Sequence, residues 1–338
     1  MIVFVAGARP NFVKLAPLVR AFTGERIIVH TGQHSDHAMA GVFFEQLGIP
    51  RPDHDLGIAG AQTPKIMDAF GAYLDSNRPR GVVVVGDVAS TMACALAAAT
   101  RGVAVAHVEA GLRSFDRSMP EEVHRIVTDS VSELLFASES AAIANLEHEG
   151  RRDGYLAGNV MIDTLIAQLP AARELAMAAR FEIDDYVVAT LHRPANVDDP
   201  DQLERLCVAL QTLARERPVV FPVHPRTRAR LGKLDGVMLV SPLGYREFLG
   251  LVDGARCVVT DSGGLQDETT WLGIPCFTLR PNTERPCTVD VGTNRLVTDV
   301  VGLPSLVREA VRREPATIEG WDGHAAERVA DRLVSAWR

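Results

Sequence analysis

The sequence predicts an α/β protein built from two parallel-sheet domains. Three observations carry that prediction. The chain has 338 residues, too many for one compact core. Short apolar, β-branched-rich runs alternate with segments of helical spacing from end to end. The alternation forms two series of similar size, separated near Gly158–Asn159. Repeated β-α alternation means parallel sheets covered on both faces, hence two Rossmann-like domains with a ligand cleft between them.

The first series reads as strands at Ile2–Ala6, Ile27–His30, Gly81–Val85, Val103–Val108 and Leu134–Ala137. Helical spacing lies between them at Asn11–Phe22, Ala38–Leu47, Ser90–Thr100 and Glu121–Val131. The second series reads as strands at Tyr186–Thr190, Val219–Val223, Val237–Val240, Cys257–Thr260 and Pro275–Leu279. Its helices fall near Asp201–Arg215, Arg246–Val252 and Gly264–Leu272. The Ala/Leu-rich segment Met161–Arg180 reads as an interdomain helix. The amphipathic segment His324–Trp337 reads as a helix that returns to the first domain. The expected division is 1–165 for the first domain and 166–323 for the second, with 324–338 packing back on the first.

Composition excludes several classes. Hydrophobic residues make up 47% and charged residues 23%, the balance of an ordered globular chain. A net charge of -8 argues against nucleic acid or an anionic membrane as partner. The apolar runs fall short of a membrane span, and MIVFVAG has no charged segment ahead of it, so no signal peptide is expected. Cys94, Cys207, Cys257, Cys276 and Cys287 are scattered and odd in number. They read as reduced thiols of a cytoplasmic protein, not as a disulfide frame or zinc site.

In open α/β sheets the chemistry lies beyond the carboxyl ends of strands. After the first strand comes Gly7-Ala8-Arg9-Pro10-Asn11-Phe12-Val13-Lys14. It lacks the GxGxxG of a dinucleotide site and carries two cations, so NAD and FAD are not expected. The bland alternative is a helix start with Pro10 in its first turn and Arg9 and Lys14 solvated. Asp87 follows the third strand, as the N-cap of the next helix or as a functional acid. His107-Val108-Glu109 ends the fourth strand, where a carboxylate needs a partner. A Glu109–Arg113 ion pair would supply one. Pro120-Glu121-Glu122 is an ordinary helix start. His107, Glu109, Glu121 and His124 match no standard metal spacing. In the second series, polar residues at strand ends include His192, His224 and Ser262-Gly263-Gly264, with Glu268 one turn further on. Ser-Gly-Gly at a helix start offers free N–H groups that suit a phosphate. With Arg9, Lys14 and Arg285, this set suggests a nucleoside diphosphate ligand, bound without a metal.

The ordered motifs GARPNFVK, TGQHSDHAM, VGDVAS, HVEAGLRS, PEEVHR, GNVMID, TLHR, PVHPR, DSGGLQDE, LGIPC and TERP run from Gly7 to about Val297. Together they resemble the non-hydrolysing UDP-N-acetylglucosamine 2-epimerases. The resemblance implies a glycosyltransferase-B-like fold, a homodimer and no cofactor. It implies elimination and re-addition of UDP through 2-acetamidoglucal, interconverting UDP-GlcNAc and UDP-ManNAc or a related sugar. On the matching motifs, Asp87, Glu109 and Glu121 would be the acid/base groups and His192 would assist the leaving diphosphate. Arg9, Lys14, His224, Ser262, Gly263, Gly264, Glu268 and Arg285 would hold the nucleotide sugar. The chain departs from the family pattern at Ala8, Asn11, His124, Ala195, Asp267 and Cys287. Ala61 stands where members activated by their own substrate carry Arg. His124, near the presumed sugar site, is the first candidate for altered substrate choice. A hydrolysing relative, a retaining glycosyltransferase of the same fold and a non-catalytic binder are the competing readings.

Overall fold

The computed structural model describes all residues except 34–36, 224 and 338, together with the side chains of 37–40, 42, 225 and 226. It divides into two compact units, Met1–Ala167 with Ile318–Arg338, and Gln168–Thr317. Among the described residues the first unit carries a seven-stranded sheet: β1 (Ile2–Ala6), β2 (Arg26–His30), β3 (His54–Asp55), β4 (Gly81–Val85), β5 (Ala104–Ala110), β6 (Leu134–Ala137) and β7 (Gly154–Leu156), ordered β3-β2-β1-β4-β5-β6-β7. The second carries six: β8 (Val187–Thr190), β9 (Val219–Pro222), β10 (Val237–Val240), β11 (Cys257–Thr260), β12 (Cys276–Thr278) and β13 (Asn294–Leu296), ordered β10-β9-β8-β11-β12-β13. Every pairing is parallel.

The central strands β1 and β4 are buried throughout, as continuous Val/Ile/Phe runs with helices on both faces must be. In each sheet the order reverses beside its first strand, at β1/β4 and at β8/β11. Such a reversal leaves a crevice beyond the strand ends, because the flanking connections depart to opposite faces.

Several elements differ from the sequence reading. The segment Met161–Arg180 is two helices, Val160–Glu174 and Met177–Arg180. They are separated at Ala176, whose φ of 46° is left-handed and cannot continue a helix. Helix Thr63–Asn77 was not anticipated, although Ile66, Phe70 and Leu74 are buried at four-residue spacing behind a first-turn Pro. The short strands β3, β7 and β13 escaped because two or three partly exposed residues carry no periodic signal. Among the described residues no helix is long and apolar enough to cross a membrane.

The C-terminal helix Ala325–Ala336 packs against helix Arg9–Ala21. Its own N-cap, His324, makes no side-chain cap bond. Asp163 supplies the missing acceptor, taking the N–H groups of Ala325 and Ala326 at 3.2 and 2.7 Å. Asp163→Ala is expected to cost about 1–2 kcal/mol of stability, the usual worth of a helix cap. An unchanged urea midpoint would remove that role from Asp163.

Candidate active site

In the first unit, the loop after β1 is tied to the end of β4 by one side chain. Asn11 Oδ1 accepts the N–H of Ala8 at 2.9 Å, and its Nδ2 donates to the carbonyl of Val85 at 2.8 Å. The usual family residue here is Glu, which has no N–H to give that carbonyl. Asn11 therefore makes a bond that Glu could not. Helix Arg9–Ala21 starts at this point with Pro10 in its first turn. Arg9 lies over the Phe43 ring at 5.9 Å. Lys14 is buried, not solvated, and forms an ion pair with Glu109.

Glu109 sits at an irregularity of β5, where the register with β6 shifts between Val108 and Ala110. Its φ is 74°, left-handed for a non-glycine residue. The Glu109–Arg113 pair expected from the sequence does not form. Arg113 turns instead to Asp129 at 2.7 Å and to Glu149 at 2.6 Å.

Asp87 follows β4 and is not a helix N-cap; Val88 takes that place, with no side-chain bond. The Asp87 carboxylate is a quarter exposed and pairs with Arg125. Its backbone carbonyl accepts from His124 Nδ1 at 2.9 Å. Gly86 before it has φ 67°, and a Cβ there would lie 2.7 Å from Lys14 Nζ and 3.2 Å from Glu109 Oε2. Glycine is thus required twice, by conformation and by the ion pair packed against it.

The two acids of Pro120-Glu121-Glu122 divide the work. Glu122 is buried and accepts from the Ser114 N–H and hydroxyl, each at 2.9 Å, from the Phe115 N–H at 2.9 Å and from Arg125 at 2.6 Å. The Glu121 side chain is half-buried and makes no hydrogen bond or ion pair among the described residues. Arg125, which sequence reading missed, bridges Glu122 and Asp87. Its position three residues after Glu122 was the available signal.

In the second unit, His192 follows β8 and Asp261 follows β11. His192 is exposed, with Nδ1 2.7 Å from Asp261 Oδ1. Asp261 is fully buried and also accepts the N–H groups of His192 and Arg193 and the Asn196 amide. Burial alone would raise this carboxyl. The His192 ring, the Asn196 amide and the Arg193 N–H outweigh it and hold Asp261 below the ordinary carboxylate value. Asp261 opens the DSGGLQDE motif, and its pairing with His192, 69 residues away, has no signal in residue spacing.

Ser262 is the N-cap of helix Gly263–Leu272. A Cβ on Gly263 would collide with Glu284, so the second glycine-dependent approach is to a side chain of the TERP loop. Arg285 is buried between Asp267 at 2.7 Å and Glu284 at 2.7 Å. Arg280 holds the other oxygen of Glu284 at 2.7 Å. Arg285 thus carries two acids beside it, and its charge is largely balanced within the unit. Glu268 is buried and takes a 2.8 Å hydrogen bond from the Tyr245 hydroxyl. Burial pushes its carboxyl up to about 7, against the lowering effect of Tyr245 and with a further push from Asp267. His224 lies outside the described residues, as do three residues of TGQHSDHAM.

Two parallel α/β units thus carry ionisable side chains at their strand-order reversals. The match to a family model described as UDP-N-acetylglucosamine 2-epimerase spans residues 19–334. The UDP-N-acetylglucosamine 2-epimerase of Methanocaldococcus jannaschii is 39% identical over 320 residues, 87% of each chain. The UDP-2,3-diacetamido-2,3-dideoxy-D-glucuronate 2-epimerase of Pseudomonas aeruginosa is 42% identical over 313 residues, 88% of each chain. A crystal structure of M. jannaschii UDP-GlcNAc 2-epimerase in complex with UDP-GlcNAc and UDP superposes with a TM-score of 0.92 at 36% identity, covering 99% of both chains. The chain belongs to the UDP-N-acetylglucosamine 2-epimerase family and is an isomerase.

Two predictions follow from this geometry. Asp261→Asn keeps shape but removes the anion that orients His192. Turnover should fall by about 10²-fold, in the range of a lost acid/base contribution. Turnover within a few-fold of wild type would leave Asp261 a purely structural acid. The second concerns pH. The folded Glu268 carboxyl lies above its ordinary value of 4.5, at about 7. Its contribution to stability is therefore fully present below about pH 4.5 and is lost as pH rises through about 7. The stability difference between wild type and Glu268→Gln should move against wild type across that window. A difference that is flat with pH would show that Glu268 does not titrate there.

Proposed function

We propose that the enzyme interconverts a UDP-linked 2-acetamido sugar and its C2 epimer, without a cofactor, by eliminating and re-adding UDP. The observation that carries this reading is the placement of Asp87, Glu109 and Glu121 in one unit, each where a strand ends or a helix begins. The C2 hydrogen is not adjacent to a carbonyl and is not acidic. Cleavage of the C1–O bond as UDP departs develops positive charge at C1, and a base then takes the C2 proton. The product is 2-acetamidoglucal, with a C1=C2 double bond, and free UDP. Protonation of C2 on the other face and return of UDP to C1 complete the inversion.

In this reading the three carboxylates share the proton transfers at C2. His192, oriented by Asp261, donates to the departing diphosphate. Arg9, Ser262–Gly264, Glu268, Arg285 and His224 are assigned to the nucleotide. Lys14 is assigned to the acid/base group, because it is paired with Glu109. His124 is assigned to the sugar end, where its bond to the Asp87 carbonyl gives it a route to substrate choice. The enzyme is read as a cytoplasmic homodimer.

The M. jannaschii relative was crystallised with UDP-GlcNAc and UDP, and the P. aeruginosa relative is named for a diacetamido glucuronate. The similar identities favour neither sugar, so UDP-GlcNAc is the first substrate to test and the diacetamido glucuronate the second. Incubation in D₂O followed by proton NMR should place deuterium at C2 of both epimers. Accumulating UDP with free sugar would mark a hydrolase instead. Asp87→Asn, Glu109→Gln and Glu121→Gln should each lower turnover by about 10²-fold or more, with UDP affinity within a few-fold. Near-normal turnover in Glu121→Gln would reduce Pro120-Glu121-Glu122 to a helix start.

A further inference from the structure

The chemistry above leaves the buried His107 unused. His107 lies on β5, two residues before Glu109, and its side chain is fully buried. Nδ1 is 2.6 Å from Asp129 Oδ1, and Nε2 is 2.8 Å from the carbonyl oxygen of Gly86. Both neighbours are acceptors. A backbone carbonyl cannot be anything else. Asp129 also takes the Gly111 N–H at 3.1 Å and the Arg113 guanidinium at 2.7 Å on its second oxygen. With a guanidinium and an N–H on one oxygen, Asp129 has the surroundings of a carboxylate; burial pushes its carboxyl up, but His107 and Arg113 hold it below its usual value.

A neutral imidazole has one N–H. It would satisfy one of these acceptors and turn a lone pair toward the other, at a distance where two lone pairs repel. Two donated hydrogen bonds require an imidazolium. The local charges then balance, with His107 and Arg113 against Asp129 and Glu149.

The carbonyl that Nε2 holds belongs to the residue before Asp87. That turn is gripped at three points: at the Gly86 carbonyl by His107, at the Asp87 carbonyl by His124, and at the Asp87 carboxylate by Arg125. Asp129, His124 and Arg125 all lie on helix Pro120–Val131. The helix therefore acts on Asp87 twice directly and a third time through His107. The Gly86 Cα also packs against the Lys14–Glu109 pair.

We propose that His107 is a positioning residue, an imidazolium whose bond to the Gly86 carbonyl fixes the turn that aims Asp87 and walls the Lys14–Glu109 pair. The proposal rests on the reading of Asp87 and Glu109 as acid/base groups.

The full chain is used for the test. The ¹⁵N spectrum of ring-labelled wild type should show two protonated nitrogens on His107, assigned by their loss in His107→Gln. Turnover of His107→Gln should fall about 10- to 100-fold, the usual effect of a misplaced reacting group. UDP affinity should stay within about 3-fold, because the nucleotide contacts assigned above do not include this turn. Should His107→Gln fail to fold, Asp129→Asn substitutes for it. That change keeps the acceptor for Nδ1 but removes the charge that favours the second ring proton, and it should lower turnover in the same direction. A single ring proton in wild type overturns the proposal. So does a folded variant with wild-type turnover, or one that loses UDP affinity and turnover in equal measure. Asp87→Asn is measured alongside. If it retains full turnover, the acid/base reading itself fails. If it is slow while His107→Gln is not, the inference about His107 alone fails.

Discussion

Charged side chains at the carboxyl edges of these sheets depend on a counter-charge close by. The central strands β1 and β4 are buried throughout, and a charge placed beside such strands is costly without a partner. The structure answers with sets of oppositely charged partners. Lys14 meets Glu109, and Arg125 meets both Asp87 and Glu122. Asp129 meets His107 and Arg113, and Arg285 meets Asp267 and Glu284. Deleting one member of such a buried pair leaves the other uncompensated, typically at about 3–5 kcal/mol. The geometry of the edge is therefore set by mutual neutralisation.

The two units solve the same topological problem with opposite chemistry. In each, the first strand and the strand that departs in the other direction lie side by side, β1 with β4 and β8 with β11. In the first unit a neutral amide, Asn11, bridges the gap by accepting from one loop and donating to the other strand's end. In the second a carboxylate, Asp261, bridges it by collecting N–H donors from the opposite loop. The amide adds no charge to the first crevice, where Glu109 pairs with Lys14 and Asp87 with Arg125. The carboxylate in the second adds a negative charge under His192 and holds its ring through Nδ1.

Much of the fold was legible because a strand covered on both faces must be apolar along its whole length. β1, β4, β6, β10 and β11 coincide with such runs. The breaks were less visible, and Ala176 is the clearest case, since nothing in an Ala/Leu-rich stretch announces a left-handed residue. The site residues were legible as positions but not as pairs. Strand ends pointed to Asp87, Glu109 and His192, yet Lys14 is 95 residues from Glu109 and Arg125 is 38 from Asp87. Pairing across such separations is a property of strand order, which residue spacing does not encode. The nearest Lys or Arg along the chain, Arg113, was accordingly the wrong partner for Glu109.

The irregularity at Glu109 explains how one strand delivers two different groups. In a regular strand His107 and Glu109, two residues apart, would share a face and a common surrounding. The register shift after Val108 and the left-handed φ of 74° at Glu109 break that alternation. His107 keeps its place against Asp129 and Gly86, while the Glu109 carboxylate reaches Lys14. A left-handed non-glycine residue costs about 1–3 kcal/mol and persists only where its surroundings over-determine it. Here the buried ion pair with Lys14 is the compensating contact. A glycine at this position would relieve the backbone but leave a buried lysine without its acid. The strain is thus tied to the carboxylate itself, which is what a position selected for its side chain and not for its backbone requires.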